Sequence, residues 1–196
     1  LAGNARGVIK IILTRGESGR GYLAGAGPAT CIVSVHAMPS PLPVPLALYW
    51  CGTALSEQPA LAGIKHLNRL ENVLARRECD LAGYPEGLMC NRAGQVICAT
   101  SANVFLHADG RWHTPDVGVC GIAGITRAWM IRHIGAACVG SVTRAMLENA
   151  NAVFLCNAVR GLMPVSAIGS RQLLPSTALD ELHADFLAAN PFFGNT

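Results

Sequence analysis

Residues 61–74 read Leu61-Ala62-Gly63-Ile64-Lys65-His66-Leu67-Asn68-Arg69-Leu70-Glu71-Asn72-Val73-Leu74. A small, apolar approach leads to one lysine. Beyond it Leu67, Leu70, Val73 and Leu74 recur at helical spacing with Arg69, Glu71, Arg76 and Arg77 between them, so an amphipathic helix is predicted from Leu67 to about Glu78. Lys65 falls just before that helix or within its first turn. The chain holds only Lys10 and Lys65 against thirteen arginines, which leaves two candidates for any lysine-based chemistry. Lys10, between Ile9 and Ile11, reads as the outward residue of an apolar strand. At Lys65 the positive end of the coming helix disfavours an added charge and favours the neutral amine, the form that condenses with an aldehyde. The same placement also suits a solvated lysine at a helix start.

Upstream, the β-branched runs 8–13 and 30–35 predict two strands joined by a glycine-rich loop. Pro39, Pro41, Pro43 and Pro45 then forbid helix and predict an extended edge segment or connector through Trp50. Downstream, 87–90, 95–98 and 102–106 read as strands separated by turns, hence antiparallel sheet. A helix opens at Gly124–Arg127, 141–147 reads as a strand leading to a short helix near 148–150, and 151–156 as a core strand. A last helix, Ser176 to Ala189, carries a capping box at its start. The fold class is α+β with a mixed or antiparallel sheet.

With 196 residues, 51% hydrophobic and 14% charged, the chain can bury a full core in one or two domains. A net charge of +3 with scattered arginines leaves no nucleic-acid footprint and fits an anionic small-molecule substrate better. No stretch approaches the roughly 18 apolar residues of a membrane span. The eight cysteines stand singly, mostly inside apolar runs, and read as reduced thiols. Without a CxxC or HxxxH pair no metal site is expected. The start at Leu1, with no charged leader, reads as a cytoplasmic protein missing its beginning.

Two segments could bind anions. Gly118 to Arg127 combines glycines with a helix start, where free N–H groups and the helix dipole make either a phosphate cradle or an ordinary cap. It lacks the Gly-Lys-Ser/Thr of a nucleotide loop. Gly16 to Tyr22 fails the dinucleotide spacing because Ala24 stands where the third glycine belongs. It offers Arg20 and Tyr22 on one side of an extended segment, able to grip a carboxylate, or else a plain surface hairpin.

Taken together, VIKIILTRGESGRGY (8–22), LAGIKHLNRLENVL (61–74), ATSANVF (99–105) and GIAGITR (121–127) resemble the class IV aminotransferase family over nearly the whole chain. The resemblance implies a D-amino acid aminotransferase-like fold with pyridoxal 5'-phosphate (PLP) as cofactor. Residues 1–38 would be a strand pair and substrate loop from the interdomain region, and 39–196 the large cofactor-binding domain. The resemblance also leads to the expectation of a chain without the family's small N-terminal domain, which precedes the region matched here. Lys65 would form the Schiff base with PLP and act as general acid and base. The backbone of Gly124, Ile125 and Thr126 would hold the phosphate, with a second contact from Asn157 and Ala158, while Arg20 and Tyr22 would grip a substrate carboxylate. Asn103 marks the cofactor strand. Five residues before it the family has a glutamate that keeps the pyridine nitrogen protonated, whereas this chain has Cys98, which leaves Glu86 as a substitute acid. The implied activity is conversion of 4-amino-4-deoxychorismate to 4-aminobenzoate and pyruvate by a homodimer. The alternatives are transamination of D-amino or branched-chain amino acids and a non-catalytic remnant.

Overall fold

The β-branched runs on either side of the glycine-rich loop pair as strands. In the computed structural model, which describes residues 6–135 and 137–194, β1 (Gly7–Thr14) runs antiparallel to β2 (Thr30–Ala37), Gly7 opposite Ala37 and Thr14 opposite Thr30. Side chains alternate between the faces. Ile9, Ile11 and Leu13 therefore share one face with Val35 and Val33, while Lys10 lies on the other beside Ser34 and is exposed. These strands belong to the first of two units, Leu1–Pro41; the second is Leu42–Thr196.

The second unit is built on one mixed sheet. Its strands are β3 (Leu46–Trp50), β4 (Glu86–Cys90), β5 (Val96–Ala99), β6 (Asn103–Ala108), β7 (Arg111–Pro115), β8 (Cys138–Gly140), β9 (Ala152–Asn157) and β10 (Gly161–Ile168), in the order β5-β4-β3-β10-β9-β6-β7-β8, with β11 (Arg171–Gln172) on β10. β3 runs parallel to β4 and β10, and β7 to β8. The Val96 N–H donates to the Val142 carbonyl at 2.8 Å, joining β5 to the residues just after β8, so the two ends of the order meet and the sheet curls on itself.

Curling buries both faces of the central strands. Val104 and Leu106 of β6 and Val153 and Leu155 of β9 fill the inside with Leu48, Leu88 and Val165. The alternate residues Phe105 and Phe154 stack outside, 4.8 Å between ring centroids, under α2 (Ile125–Ile134) and α4 (Thr177–Ala189), which contribute Met130, Leu179, Leu182 and Phe186. Each such side chain taken from water contributes roughly 1.5–3 kcal/mol. α1 (Leu70–Leu81) covers β4 through Ala75 and Cys79.

Several elements differ from the sequence expectation. Leu46–Trp50 is an interior strand, not an edge or connector, with Leu46 and Leu48 fully buried. The proline run ends at Pro45, so every residue of β3 has the N–H that a central strand needs. β10 has no counterpart in the expectation because Pro164 interrupts its pattern; that proline pairs opposite Phe154 just before pairing with β3 begins at Val165. α1 starts at Leu70, leaving Lys65 outside its first turn, and its apolar stripe faces outward. The strand expected over 141–147 does not form there: β8 ends at Gly140, and α3 (Arg144–Glu148) follows, its first turn capped by the Thr143 hydroxyl accepting from the Met146 N–H at 3.2 Å. Ser176 does precede α4, yet its side chain makes no capping bond.

Candidate active site

Lys65 sits on an irregular segment between the bridge at Gly63 and α1, anchored by its backbone. The Gly63 N–H donates to the Gly121 carbonyl at 3.1 Å, and the Ala123 N–H donates back to the Gly63 carbonyl at 3.0 Å. Two residues of this strand-like contact hold the lysine segment against the loop that enters α2. Arg69 adds a third tie: its Nη2 donates at 2.5 Å to the carbonyl of Ile64, the residue preceding the lysine. Its Nε is buried without a partner, and burial disfavours its charged form. Lys65 itself is exposed and forms no ion pair among the described residues.

The loop after Gly121 ends at an open helix start. Gly124 is the N-cap of α2, and no side chain caps the first turn. The N–H groups of Ile125, Thr126 and Arg127, which have no partner within the helix, are thus left for an anion. A Cβ at Gly124 would lie 2.3 Å from the Asn103 Oδ1, so only glycine allows this approach. The Asn103 Nδ2 donates to the Ile122 carbonyl at 2.8 Å, binding the start of β6 to the same loop. Asn103 pairs opposite Cys156, one residue before Asn157 at the end of β9. There the Asn157 Oδ1 accepts from the Val159 and Arg160 N–H groups at 3.0 and 2.8 Å, forming a tight turn around the exposed Ala158. Its Nδ2 donates to the Ser101 carbonyl at 3.3 Å. Lys65, Asn103, Gly124 to Thr126 and Asn157 are therefore brought together by short bonds between their segments. The open helix start fits a phosphate.

Position 98 does not offer the carboxylate of the family pattern. Cys98 lies in β5, and burial, with Cys120 and Glu86 nearby, pushes its thiol up to about 12, so it is neutral at ordinary pH. Glu86 is no substitute. Buried at the start of β4, its Oε1 accepts from the Gly87 N–H at 3.0 Å, the Thr100 N–H at 2.9 Å and the Thr100 hydroxyl, while its Oε2 accepts from the Ser101 hydroxyl at 2.5 Å. Both oxygens are committed to shaping the turn between β5 and β6. Sequence reading missed this clamp, as well as Arg69 and Arg127; the signal available for the arginine pair was their place inside the quoted motifs.

Arg20 and Tyr22 lie in the first unit, on the connection between β1 and β2, and both are exposed. The backbone bends over Arg20–Tyr22, with Gly21 at φ 97°, so the extended alternation expected to align the two side chains does not apply. Glycine admits that positive φ where other residues resist it.

A model of the amino-transferase class IV family matches residues 1–168. The chain belongs to the class IV aminotransferase family. This family is PLP-dependent. A class IV relative, the aminodeoxychorismate lyase of Vibrio harveyi, is 33% identical over 175 residues, which cover 83% of this chain and 63% of the relative. The chain thus spans less than two thirds of that curated relative's length. The crystal structure of 4-amino-4-deoxychorismate lyase from Pseudomonas aeruginosa matches with a TM-score of 0.87 at 38% identity, covering 94% of this chain and 71% of that one. An aminotransferase from Brucella abortus, solved with PLP bound, shares the fold at a TM-score of 0.79 and 17% identity, covering 92% of this chain and 67% of that one. No helix among the described residues is long and apolar enough to cross a membrane.

Proposed function

We propose that this chain forms a PLP-dependent lyase converting 4-amino-4-deoxychorismate to 4-aminobenzoate and pyruvate, with PLP carried on Lys65. The observation behind the reading is the pair of backbone bonds from Gly63 to Gly121 and Ala123, which holds the lysine segment against the loop entering an uncapped helix start. Similarity to the Vibrio harveyi and Pseudomonas aeruginosa lyases supports the choice of substrate. When bound, PLP supplies an aldehyde for the substrate's amino group and a ring that draws electrons from the bond to be broken.

The chain's own part is binding and proton transfer. The Lys65 Nζ removes the proton from ring carbon C4 and returns a proton to the departing enolpyruvyl group, leaving pyruvate and an aromatic product. The Ile125 and Thr126 N–H groups, at the helix start that Gly124 opens, hold the phosphate with the turn at Asn157 and Ala158, while the Gly124 N–H stays on the Ile122 carbonyl at 3.0 Å and Asn103 fixes the loop beneath. Cys98 would stand toward the ring as a neutral thiol where the family places a carboxylate. Arg20 and Tyr22 are assigned to a substrate carboxylate on their chemistry, a guanidinium fork and a phenol. Residues 1–38 supply the strand pair and substrate loop, and 39–196 the cofactor-binding domain.

We also infer a cytoplasmic homodimer. Eight free cysteines suit a reducing compartment. Leu67, Leu70, Val73 and Leu74 are 70%, 65%, 61% and 48% exposed, an apolar surface that a second copy would cover.

The test is reduction of the PLP-mixed chain with borohydride and mapping of the modified peptide, followed by an assay for pyruvate without any keto acid acceptor. An adduct on Lys65 that Lys65→Ala abolishes, with acceptor-free pyruvate, supports the lyase. Cycling between aldehyde and amine forms with D-alanine would instead mean transamination. No spectral change with either substrate would mean a non-catalytic remnant, the outcome that the thiol at position 98 favours.

A further inference from the structure

Arg127 carries a charge where a helix tolerates one least. It is the third residue of α2 and only 7% exposed. The first turn already presents the partial positive charge of the helix dipole, and a helical side chain leans back toward that end. Its Cβ would lie 3.8 Å from a Cβ placed on Gly124, so it starts directly behind the open helix start. The Arg127 Nη2 donates to the Pro115 carbonyl at 2.8 Å, whereas its Nε is buried with no partner. No carboxylate lies within ion-pair distance of it among the described residues; Asp116, next to Pro115, accepts from the Gly118 N–H at 3.1 Å through its Oδ1 and favours the guanidinium's charge only from beyond that distance, too weakly to offset burial. Burial works against the guanidinium's charged form. An unpaired buried cation costs stability, and a neutral chain of similar length would pack there at less cost.

We propose that Arg127 is a positioning residue for a dianionic phosphate at the N-terminus of α2, its buried charge without an ion-pair partner in the free protein and balanced when the phosphate binds. This rests on the phosphate assignment made above. The bond to Pro115 fixes the guanidinium to the end of β7, so its field is in place before the ligand arrives. The free protein gives up stability and gains affinity for the phosphate.

Pyridoxal and PLP, the same aldehyde without and with phosphate, separate this role from a structural one. Each is titrated by absorbance into the full chain, the adduct is trapped with borohydride and mapped, and ligand-free melting is recorded. Wild type is expected to bind PLP at least about tenfold more tightly than pyridoxal. Arg127→Met is expected to lose most of that advantage, bind pyridoxal as wild type does, and melt no lower than wild type; Arg127→Lys keeps the advantage. A lower melting point or failure to fold in Arg127→Met, equal loss for both probes, or an intact advantage overturns the proposal. A wild type that binds both probes equally overturns the phosphate cradle and Arg127 with it. A PLP preference without an adduct on Lys65 sinks the lysine assignment and leaves the role of Arg127 standing.

Discussion

The Asn103 Oδ1 occupies the space a Cβ on Gly124 would need, at 2.3 Å, while its Nδ2 is held by the Ile122 carbonyl at 2.8 Å. Asn103 is also fixed in register opposite Cys156, so it has no room to retreat. Gly124→Ala is therefore expected to displace the first turn of α2 and cost about 1–3 kcal/mol. Urea denaturation measures the loss, and the yield of trapped PLP adduct is expected to fall further than stability does. A variant as stable as wild type would mean that the helix start has room to spare.

Glu86 organises the turn that carries Ser101, whose carbonyl accepts from Asn157. Glu86→Leu takes the acceptor from the Gly87 N–H and from the Thr100 and Ser101 hydroxyls in a buried place, while the Thr100 N–H keeps the Gly87 carbonyl at 2.9 Å, with an expected cost of about 3 kcal/mol. Glu86→Gln keeps one acceptor oxygen and can donate to the Ser101 hydroxyl, so it is expected to recover most of that loss. Denaturant midpoints of the two variants decide; equal losses would mean that charge, rather than bond geometry, is what the turn requires.

Lys65 and Gly124 could be picked out as candidates before any coordinates, because a rare lysine and a glycine-opened helix are local signals, whereas Asn157 came only with the resemblance to the family. What brings them together is not local. Gly63 meets Gly121 across 58 positions of chain, and nothing near either residue encodes that bond. The stripe on α1 misled for a related reason. Periodicity identifies an apolar face without saying what covers it, and the face that meets β4 is the one with small residues, Ala75 and Cys79, over Gly87. A Cβ at Gly87 would lie 2.5 Å from the Cys79 Sγ, so close approach, not apolar bulk, selects the inner face.

That outward stripe gives the dimer its test. Leu70→Lys combined with Val73→Lys changes two exposed residues and touches none of the buried ones, so helix content is expected to hold. Light scattering is expected to find a dimer for wild type and a monomer for the double variant. A double variant that stays dimeric would move the contact elsewhere.

The thiols predict how stability responds to alkali. Burial pushes Cys98 and Cys156 up to about 12 and Cys120 up to about 11, from an ordinary value of 9.0. Above pH 9 the unfolded chain therefore releases protons that the folded chain retains, and proton loss favours unfolding. Their contribution is fully present below pH 9 and declines as pH rises toward 12, by about 1.4 kcal/mol per pH unit for each fully buried thiol. Melting temperatures in reducing buffer are expected to show no effect of these groups from pH 7 to about 8.5 and a steep fall beyond pH 9. Cys98→Ala should shallow that fall by one thiol's share even if it lowers the starting value. A slope unchanged in Cys98→Ala would mean that the position 98 thiol ionises as readily in the fold as outside it, and the assignment of a neutral partner to the cofactor ring would fall with it.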